Sequence, residues 1–299
     1  MVNKMIEVVN LTKKFDQKIV LNDISFTVEE GDIYGFLGRN GSGKSTTMKA
    51  ILKLLNFDSG TINVLDNNDI RNSNAYLNQI GSLIEEPAFY PNLTGYENLK
   101  IVQQLSDIPT ENIDRVLEIV GLTATANKLT KKYSLGMKQR LGIAIALVKF
   151  PKILILDEPT NGLDPEGVRE IRELILSLPE KYGITVFISS HILSEIEKMV
   201  NKVAILDHGK IKFEGNMQKL EQESTLSIAT DNMPATESLL TAKKYNFIKT
   251  EKNIIVNDAS SEVAIAVNKL LVGSDIGVSD LHLVKHSLED IFLKITKEA

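Results

Sequence analysis

The chain has 299 residues, 43% of them hydrophobic and 24% charged, the balance of a globular protein with a sizeable core and room for two domains. Its formal net charge of −5 argues against a general nucleic-acid binder, which carries a basic excess, and the absence of cysteine removes disulfides and thiolate metal sites. No apolar h-region opens the chain, and the longest apolar stretch, residues 141–148, is far too short to span a bilayer. A cytoplasmic protein is expected, working at a membrane only through a separate partner.

Residues 6–11 and 24–28 alternate like half-buried antiparallel strands. Residues 13–18 read as a polar loop between them. Phe15 in that loop offers a ring for an adenine base to stack on, or a plug that seats the loop on the core. Residues 32–37 read as a buried strand running into Gly38-Arg39-Asn40-Gly41-Ser42-Gly43-Lys44-Ser45, and residues 46–55, from Thr46 on, as the helix leaving it. The loop matches G-x-x-x-x-G-K-[ST], the phosphate-binding P-loop, in the required strand–loop–helix context. Glycines let the backbone curl so that several N–H groups aim at one anion, and the helix N-terminus adds its partial positive charge. Lys44 is expected on the β- and γ-phosphates of a nucleotide and Ser45 on Mg²⁺.

Asp58-Ser59-Gly60 reads as a turn, residues 61–65 as a strand, and residues 80–87 as a strand running into a loop. Thr94 and Glu97 form a capping box at the start of a helix. Residues of about 87–150 are mostly helical in pattern and interrupt the α/β alternation, as an inserted helical subdomain does. Tyr133-Ser134-Leu135-Gly136-Met137 opens the last helix of this block and is a second candidate anion site. Residues 152–159 form a near-continuous apolar run ending in Asp157 and Glu158, which predicts a central parallel strand with two carboxylates at its carboxyl end. In P-loop proteins such an Asp holds Mg²⁺, and the following Glu is free to polarise a water as general base. Residues 166–178 read as an amphipathic helix, residues 184–191 as a second buried strand ending in polar residues and His191, and residues 203–215 as a hairpin around His208-Gly209. Beyond about residue 222, residues 226–230, 245–249 and 253–257 read as short strands, and residues 262–271 and 287–296 as helices, with no catalytic constellation.

In this order the motifs resemble an ATP-binding cassette (ABC) subunit over residues 5–215. Residues 38–45 correspond to its Walker A loop, residues 153–158 to Walker B, Asn161-Gly162-Leu163-Asp164 to the D-loop (usually SALD) and His191 to the switch histidine that contacts the γ-phosphate. Phe15 matches the aromatic that stacks on adenine. Ser134-Leu135-Gly136-Met137 resembles the signature loop, usually LSGGQ, with Tyr133 for the leading Leu, Leu135 for the first Gly and Met137 for the Gln. Glu85 stands where the family has the Q-loop Gln, which touches Mg²⁺ and the attacking water, and a carboxylate is the harder oxygen donor. That Glu, the surrounding residues 80–99 and the closing Ser287-Leu288-Glu289-Asp290-Ile291-Phe292 are similar to the bacitracin-resistance and lantibiotic-immunity branch of ABC exporters.

The resemblance implies an α/β P-loop NTPase core over residues 1–220, with an antiparallel β subdomain and the inserted helical subdomain, and the short strands and helices beyond it read as a small α+β accessory domain over residues 221–299. It implies ATP and Mg²⁺ as ligands, and two such subunits, identical or paralogous, facing head to tail with ATP between Walker A of one and the signature loop of the other. It also implies a separate transmembrane permease that carries an antimicrobial peptide or similar amphiphile, with this subunit on the inner face of the membrane. Two alternatives stand beside it. A non-transport ABC ATPase acting on ribosomes or DNA would resemble this chain less, since those carry a second cassette, long heptad coils or zinc-binding cysteines. An importer subunit is disfavoured by the Glu85 loop and the C-terminal block.

Overall fold

A computed structural model describes residues 3–65, 68–217, 224–257, 259–285, 288–289 and 292. The chain divides into two compact units, Met1–Glu214 and Gly215–Ala299. The first unit begins with two long antiparallel strands, β1 (Lys4–Phe15) and β2 (Lys18–Glu29), joined by a tight turn at Asp16 and Gln17. They form a three-stranded sheet in the order β2-β1-β4, with β4 at Ser59–Val64. Two sequence readings are corrected here. Residues 13–15 belong to β1 rather than to a loop, because Lys13, Lys14 and Phe15 pair with β2 to the end of the hairpin. Ser59 and Gly60 open β4 rather than forming a turn, and Ser59 pairs with Thr12.

The second sheet of this unit has six strands in the order β5-β6-β7-β3-β8-β9, with β3 at Ile33–Leu37, β5 at Ile80–Leu83, β6 at Ile153–Asp157, β7 at Thr185–Ser190, β8 at Lys202–Asp207 and β9 at Lys210–Asn216. The pairs from β5 to β8 are parallel. Every residue of β3, β6 and β7 is buried, as apolar runs covered on both faces require. The β8–β9 hairpin turns on His208 (φ 44) and Gly209 (φ 73), a pair of left-handed residues that suits a two-residue hairpin. Phe26 of β2 packs on Tyr34 and Phe36 of β3 and on Phe187 of β7, with ring centroids 5.1–5.8 Å apart, and so ties the antiparallel sheet to the parallel one.

Helix α1 (Lys44–Ile51) follows β3. Between β5 and β6 lie α2 (Gly95–Ser106), α3 (Glu111–Ile119) and α4 (Leu135–Leu147). The capping box at α2 is present, with Glu97 N on Thr94 Oγ1 at 3.1 Å and Thr94 N on the Glu97 carboxylate at 2.7 Å. Helix α5 (Pro165–Tyr182) and the short α6 (Leu193–Ile196) complete the unit.

The second unit runs β10 (Ser224–Thr230), α7 (Met233–Ala242), β11 (Phe247–Lys249), β12 (Ile254–Val256), α8 (Ser261–Val272) and β13 (Val278–Lys285). The strands form one antiparallel sheet in the order β11-β12-β10-β13, a ferredoxin-like split βαβ arrangement. Its core holds Leu226, Ile228, Leu240, Ile254, Val267 and Leu271. The sequence reading passed over α7 and β13. Asn232 caps α7 by accepting from Ala235 N at 3.1 Å, and Pro234 lies in its first turn, so the signal was local. Of the expected helix at residues 287–296, Leu288, Glu289 and Phe292 are helical and the rest lies outside the described residues.

Gly81 of β5 shows how closely the helical block meets the sheet: a Cβ there would occupy the space of the Ala146 carbonyl oxygen of α4 and come within 3.0 Å of Pro151. Gly81→Ala is therefore expected to destabilise this unit by about 1–3 kcal/mol, seen as a lower melting temperature in circular dichroism. An unchanged melting temperature would show that α4 is free to shift.

Candidate active site

The parallel strands converge their carboxyl ends on the loop between β3 and α1. Gly41 (φ 79) and Gly43 (φ 114) take left-handed backbone there. A Cβ on Gly43 would also lie 2.5 Å from Leu21 Cδ2, so the loop sequence is dictated by both conformation and space. A Cβ on Gly38 would collide with Leu206 O and Ser42 Oγ. Helix α1 starts at Gly43 without a side-chain cap, which leaves first-turn amides for an external acceptor. Ser42 Oγ is buried and, among the described residues, has no hydrogen-bond partner, a hydroxyl placed to meet an oxygen-rich ligand.

Lys44 is 5% exposed. Its ammonium donates to Gly38 O at 2.9 Å and Arg39 O at 3.4 Å, and lies 3.2 Å from Glu158 Oε1. The other oxygen of Glu158 meets His191 Nδ1 at 2.6 Å. Glu158 follows directly on β6 and holds φ 48, left-handed for a non-glycine residue. Asp157, the last residue of β6, is 6% exposed and accepts from Ser189 Oγ at 2.5 Å. Lys44, Glu158 and His191 thus form one continuous chain of charge-assisted contacts, with Asp157 beside it.

Two cavities flank this chain. One, of about 590 Å³, is lined by Ser45, Glu85, Asp157, Glu158 and Gln139. The other, of about 400 Å³, is lined by Phe15, Asn40, Gly41, Lys44, Ser45 and Thr46. Phe15 therefore does meet the loop, but as the exposed end of a strand, 45% exposed with Lys13 Nζ 5.0 Å from its ring centroid, and not as a plug in the core. Arg39 and Asn40 are exposed at the loop tip. Glu85 (φ 64) lies just past β5 and pairs with Lys49 of α1 at 2.5 Å.

Ser134 N-caps α4, accepting from Met137 N at 3.2 Å. Leu135, 53% exposed, and Gly136 share a cavity of about 500 Å³ with Gly162, Leu163 and Asp164. Asn161 lines the larger cavity beside Glu158. Asp164 caps α5 through Gly167 N at 2.9 Å. Tyr133 is buried, and its phenol donates to Thr125 O at 2.8 Å in room left by Gly95, where a Cβ would strike the hydroxyl. Burial pushes this phenol above the usual tyrosine range.

A divalent cation fits the donors present. Ser45, Asp157 and Glu85 line one cavity beside the loop, a set of oxygen donors that suits a cation bound through one or two side chains together with phosphates. Asp157 is a buried carboxylate with a neutral hydroxyl donor, and burying such a charge is costly without a cation. Sequence reasoning missed Lys49, Gln139 and Ser189. The polar end of β7 hinted at Ser189, while Lys49 is an ordinary exposed-face helix residue in the sequence.

A glycine-rich loop between a parallel strand and a helix, with a buried lysine and a strand-end Asp-Glu pair, defines a P-loop nucleotide-binding cassette. The chain belongs to the ABC transporter family, whose model matches residues 21–161. It is 42% identical to the bacitracin transport ATP-binding protein BcrA of Bacillus licheniformis, over 97% of this chain and 97% of that protein. It is 43% identical to the lantibiotic transport ATP-binding protein SrtF of Streptococcus pyogenes, over 70% of this chain and 90% of that protein. Among solved structures it resembles cbiO1 from Clostridium perfringens, part of the ABC transporter complex cbiONQ, with a TM-score of 0.67 and 30% identity over 73% of this chain and 90% of that one.

Lys44→Ala removes the buried cation from the loop and leaves Glu158 facing the phosphate site unneutralised. ATP hydrolysis is expected to fall by more than tenfold, a barrier change above about 1.4 kcal/mol, with ATP affinity largely lost in equilibrium binding. A variant that keeps more than a tenth of the wild-type turnover would contradict phosphate binding at this loop.

Proposed function

We propose that this chain is the ATP-binding and ATP-hydrolysing subunit of an ABC exporter, and that it drives a separate membrane permease to expel a peptide antibiotic or similar amphiphile. The observation that carries the reading is the convergence of Lys44, Glu158 and His191 at the mouth of the loop, in a chain that resembles a bacitracin transport ATP-binding protein along nearly its whole length. Among the described residues no helix is long and apolar enough to cross a membrane, which supports a partner that supplies the membrane path. The subunit then sits at the inner face of the membrane through that permease, paired with a second copy or a paralogous ATPase.

In this reading the adenine ring stacks on Phe15, and the phosphates enter the cradle of Gly38–Ser45 and Thr46 amides. Lys44 exchanges Glu158 and the Gly38 carbonyl for phosphate oxygens. Ser45, Asp157 and Glu85 would hold Mg²⁺, which when bound neutralises charge between the β- and γ-phosphates. Glu158, released from Lys44, takes a proton from the attacking water as its oxygen bonds to the γ-phosphorus and the bond to the ADP oxygen breaks. His191, already on Glu158, reaches the γ-phosphate and keeps the carboxylate oriented. The faces formed by Ser134–Met137 and Asn161–Asp164 meet the nucleotide and the edge of the partner cassette. Glu85 pairs with Lys49, so holding a metal would require it to leave an exposed ion pair, which costs at most about 1 kcal/mol.

Two variants test this. Glu158→Gln keeps the shape of the side chain and removes the base. It is expected to bind ATP, to turn over very slowly and to accumulate as an ATP-bound dimer in size-exclusion chromatography, whereas wild-type hydrolysis by a monomeric variant would remove Glu158 from the reaction. Glu85→Ala leaves Lys44, Ser45 and the cradle in place, so ATP affinity stays near wild type. Permease-stimulated hydrolysis and cellular resistance to the exported peptide should drop, with Glu85→Gln milder. Resistance and stimulated hydrolysis equal to wild type in Glu85→Ala would sever this loop from coupling.

A further inference from the structure

A side chain outside the sequence motifs, that of Ser189, bonds both to the Asp157 carboxylate and to the backbone amide of Glu158. Ser189 is the penultimate residue of β7 and is fully buried. Its hydroxyl donates to Asp157 Oδ1 at 2.5 Å and accepts from Glu158 N at 3.0 Å, and its backbone carbonyl also accepts from Glu158 N at 3.2 Å. A serine hydroxyl has a single proton, and here that proton is committed to Asp157 while a lone pair is committed to Glu158. The arrangement is set by strand register, since Asp157 pairs with Ser189 across the parallel β6–β7 ladder.

Two consequences follow from so small a group. Asp157 is buried, and an oxygen tied to Ser189 fixes the plane of the carboxylate and leaves the other oxygen as the ligand oxygen. Glu158 takes left-handed backbone at φ 48, a conformation that persists only where neighbours hold it, and Ser189 holds its amide from both the side chain and the main chain. An alanine would fill nearly the same volume and sever both side-chain bonds.

We propose that Ser189 is a positioning residue for nucleotide hydrolysis, one hydroxyl that sets both the carboxylate of Asp157 towards the metal and the backbone that aims Glu158 at the attacking water. The proposal rests on the reading of Asp157 and Glu158 given above. It makes Ser189 act through its neighbours, without touching the nucleotide.

The test compares wild type, Ser189→Ala, Ser189→Cys, Asp157→Asn and the Ser189→Ala/Asp157→Asn pair in the full chain. Binding of a fluorescent ADP analogue is titrated in EDTA and at increasing Mg²⁺, and ATPase rates are measured in parallel. For Ser189→Ala, affinity in EDTA stays at the wild-type value, while the Mg²⁺-dependent gain in affinity and kcat each fall by about tenfold or more, as loss of an outer partner of a metal ligand does. In the Asp157→Asn background the same substitution produces no further change in Mg²⁺ dependence. Ser189→Cys, close in shape and a weak donor, falls between wild type and alanine, and it carries the comparison if the alanine variant does not fold. Wild-type Mg²⁺ dependence and kcat in Ser189→Ala, alongside a loss in Asp157→Asn, would overturn this proposal alone. Wild-type Mg²⁺ dependence in Asp157→Asn itself would overturn the reading of Asp157 on which it rests. Equal losses of affinity with and without Mg²⁺ in Ser189→Ala would reduce Ser189 to a packing role and also overturn it.

Discussion

A buried ammonium has to find an anion. Lys44 is almost wholly withdrawn from solvent and meets two loop carbonyls and the Glu158 carboxylate. Leaving either charge alone in such a place costs several kcal/mol, so the pair fixes the geometry of everything around it. The same positions become a liability for the pair once a polyphosphate enters, because phosphate oxygens offer Lys44 more charge than one carboxylate does. In the proposed reading, exchange of partners at Lys44 is what frees Glu158 as a base, and so links binding to chemistry without a large motion of the chain.

Lys44, Glu158 and His191, the three members of this chain of contacts, come from different strand ends. The loop carrying Lys44 follows β3, Glu158 follows β6, and His191 follows β7, and these three strands lie side by side in the order β6-β7-β3. Parallel strands present their carboxyl ends at one edge, where ligands bind in open α/β sheets. The aromatic cluster of Phe26, Tyr34, Phe36 and Phe187 holds β3 and β7 against the antiparallel sheet, and that sheet carries Phe15 to the rim of the loop cavity. Apolar packing thus sets the distance between the ring proposed for the base and the lysine proposed for the phosphates.

Much of this was legible in the amino-acid sequence, because its signals are local. Apolar runs announced β3, β6 and β7, the glycine spacing announced the loop, and Thr94 with Glu97 announced the start of α2. The readings that failed were of two kinds, local signals masked by composition and contacts between residues distant in the chain. Phe15 looked like a loop residue because Lys13 and Lys14 are polar, yet all three lie at the end of β1, where pairing with β2 across the hairpin outweighs composition. The strand β13 alternates in pattern, but its place beside β10 is a long-range pairing. The contacts of Glu85 with Lys49 and of Ser189 with Asp157 span 36 and 32 residues, and no spacing rule connects such pairs before the sheet is assembled. Tyr133, which stands for the leading Leu of the signature loop, is accommodated by Gly95, 38 residues earlier, which leaves room for the phenol.

The central claim is that the Lys44–Glu158 contact stands in the place of a phosphate. A crystal structure of the chain with Mg²⁺ and a non-hydrolysable ATP analogue tests it most directly. The account predicts Lys44 Nζ within hydrogen-bond distance of β- and γ-phosphate oxygens and no longer paired with Glu158, whose carboxylate then faces an ordered water. A bound nucleotide with Lys44 still on Glu158, and with its phosphates held elsewhere, would contradict it.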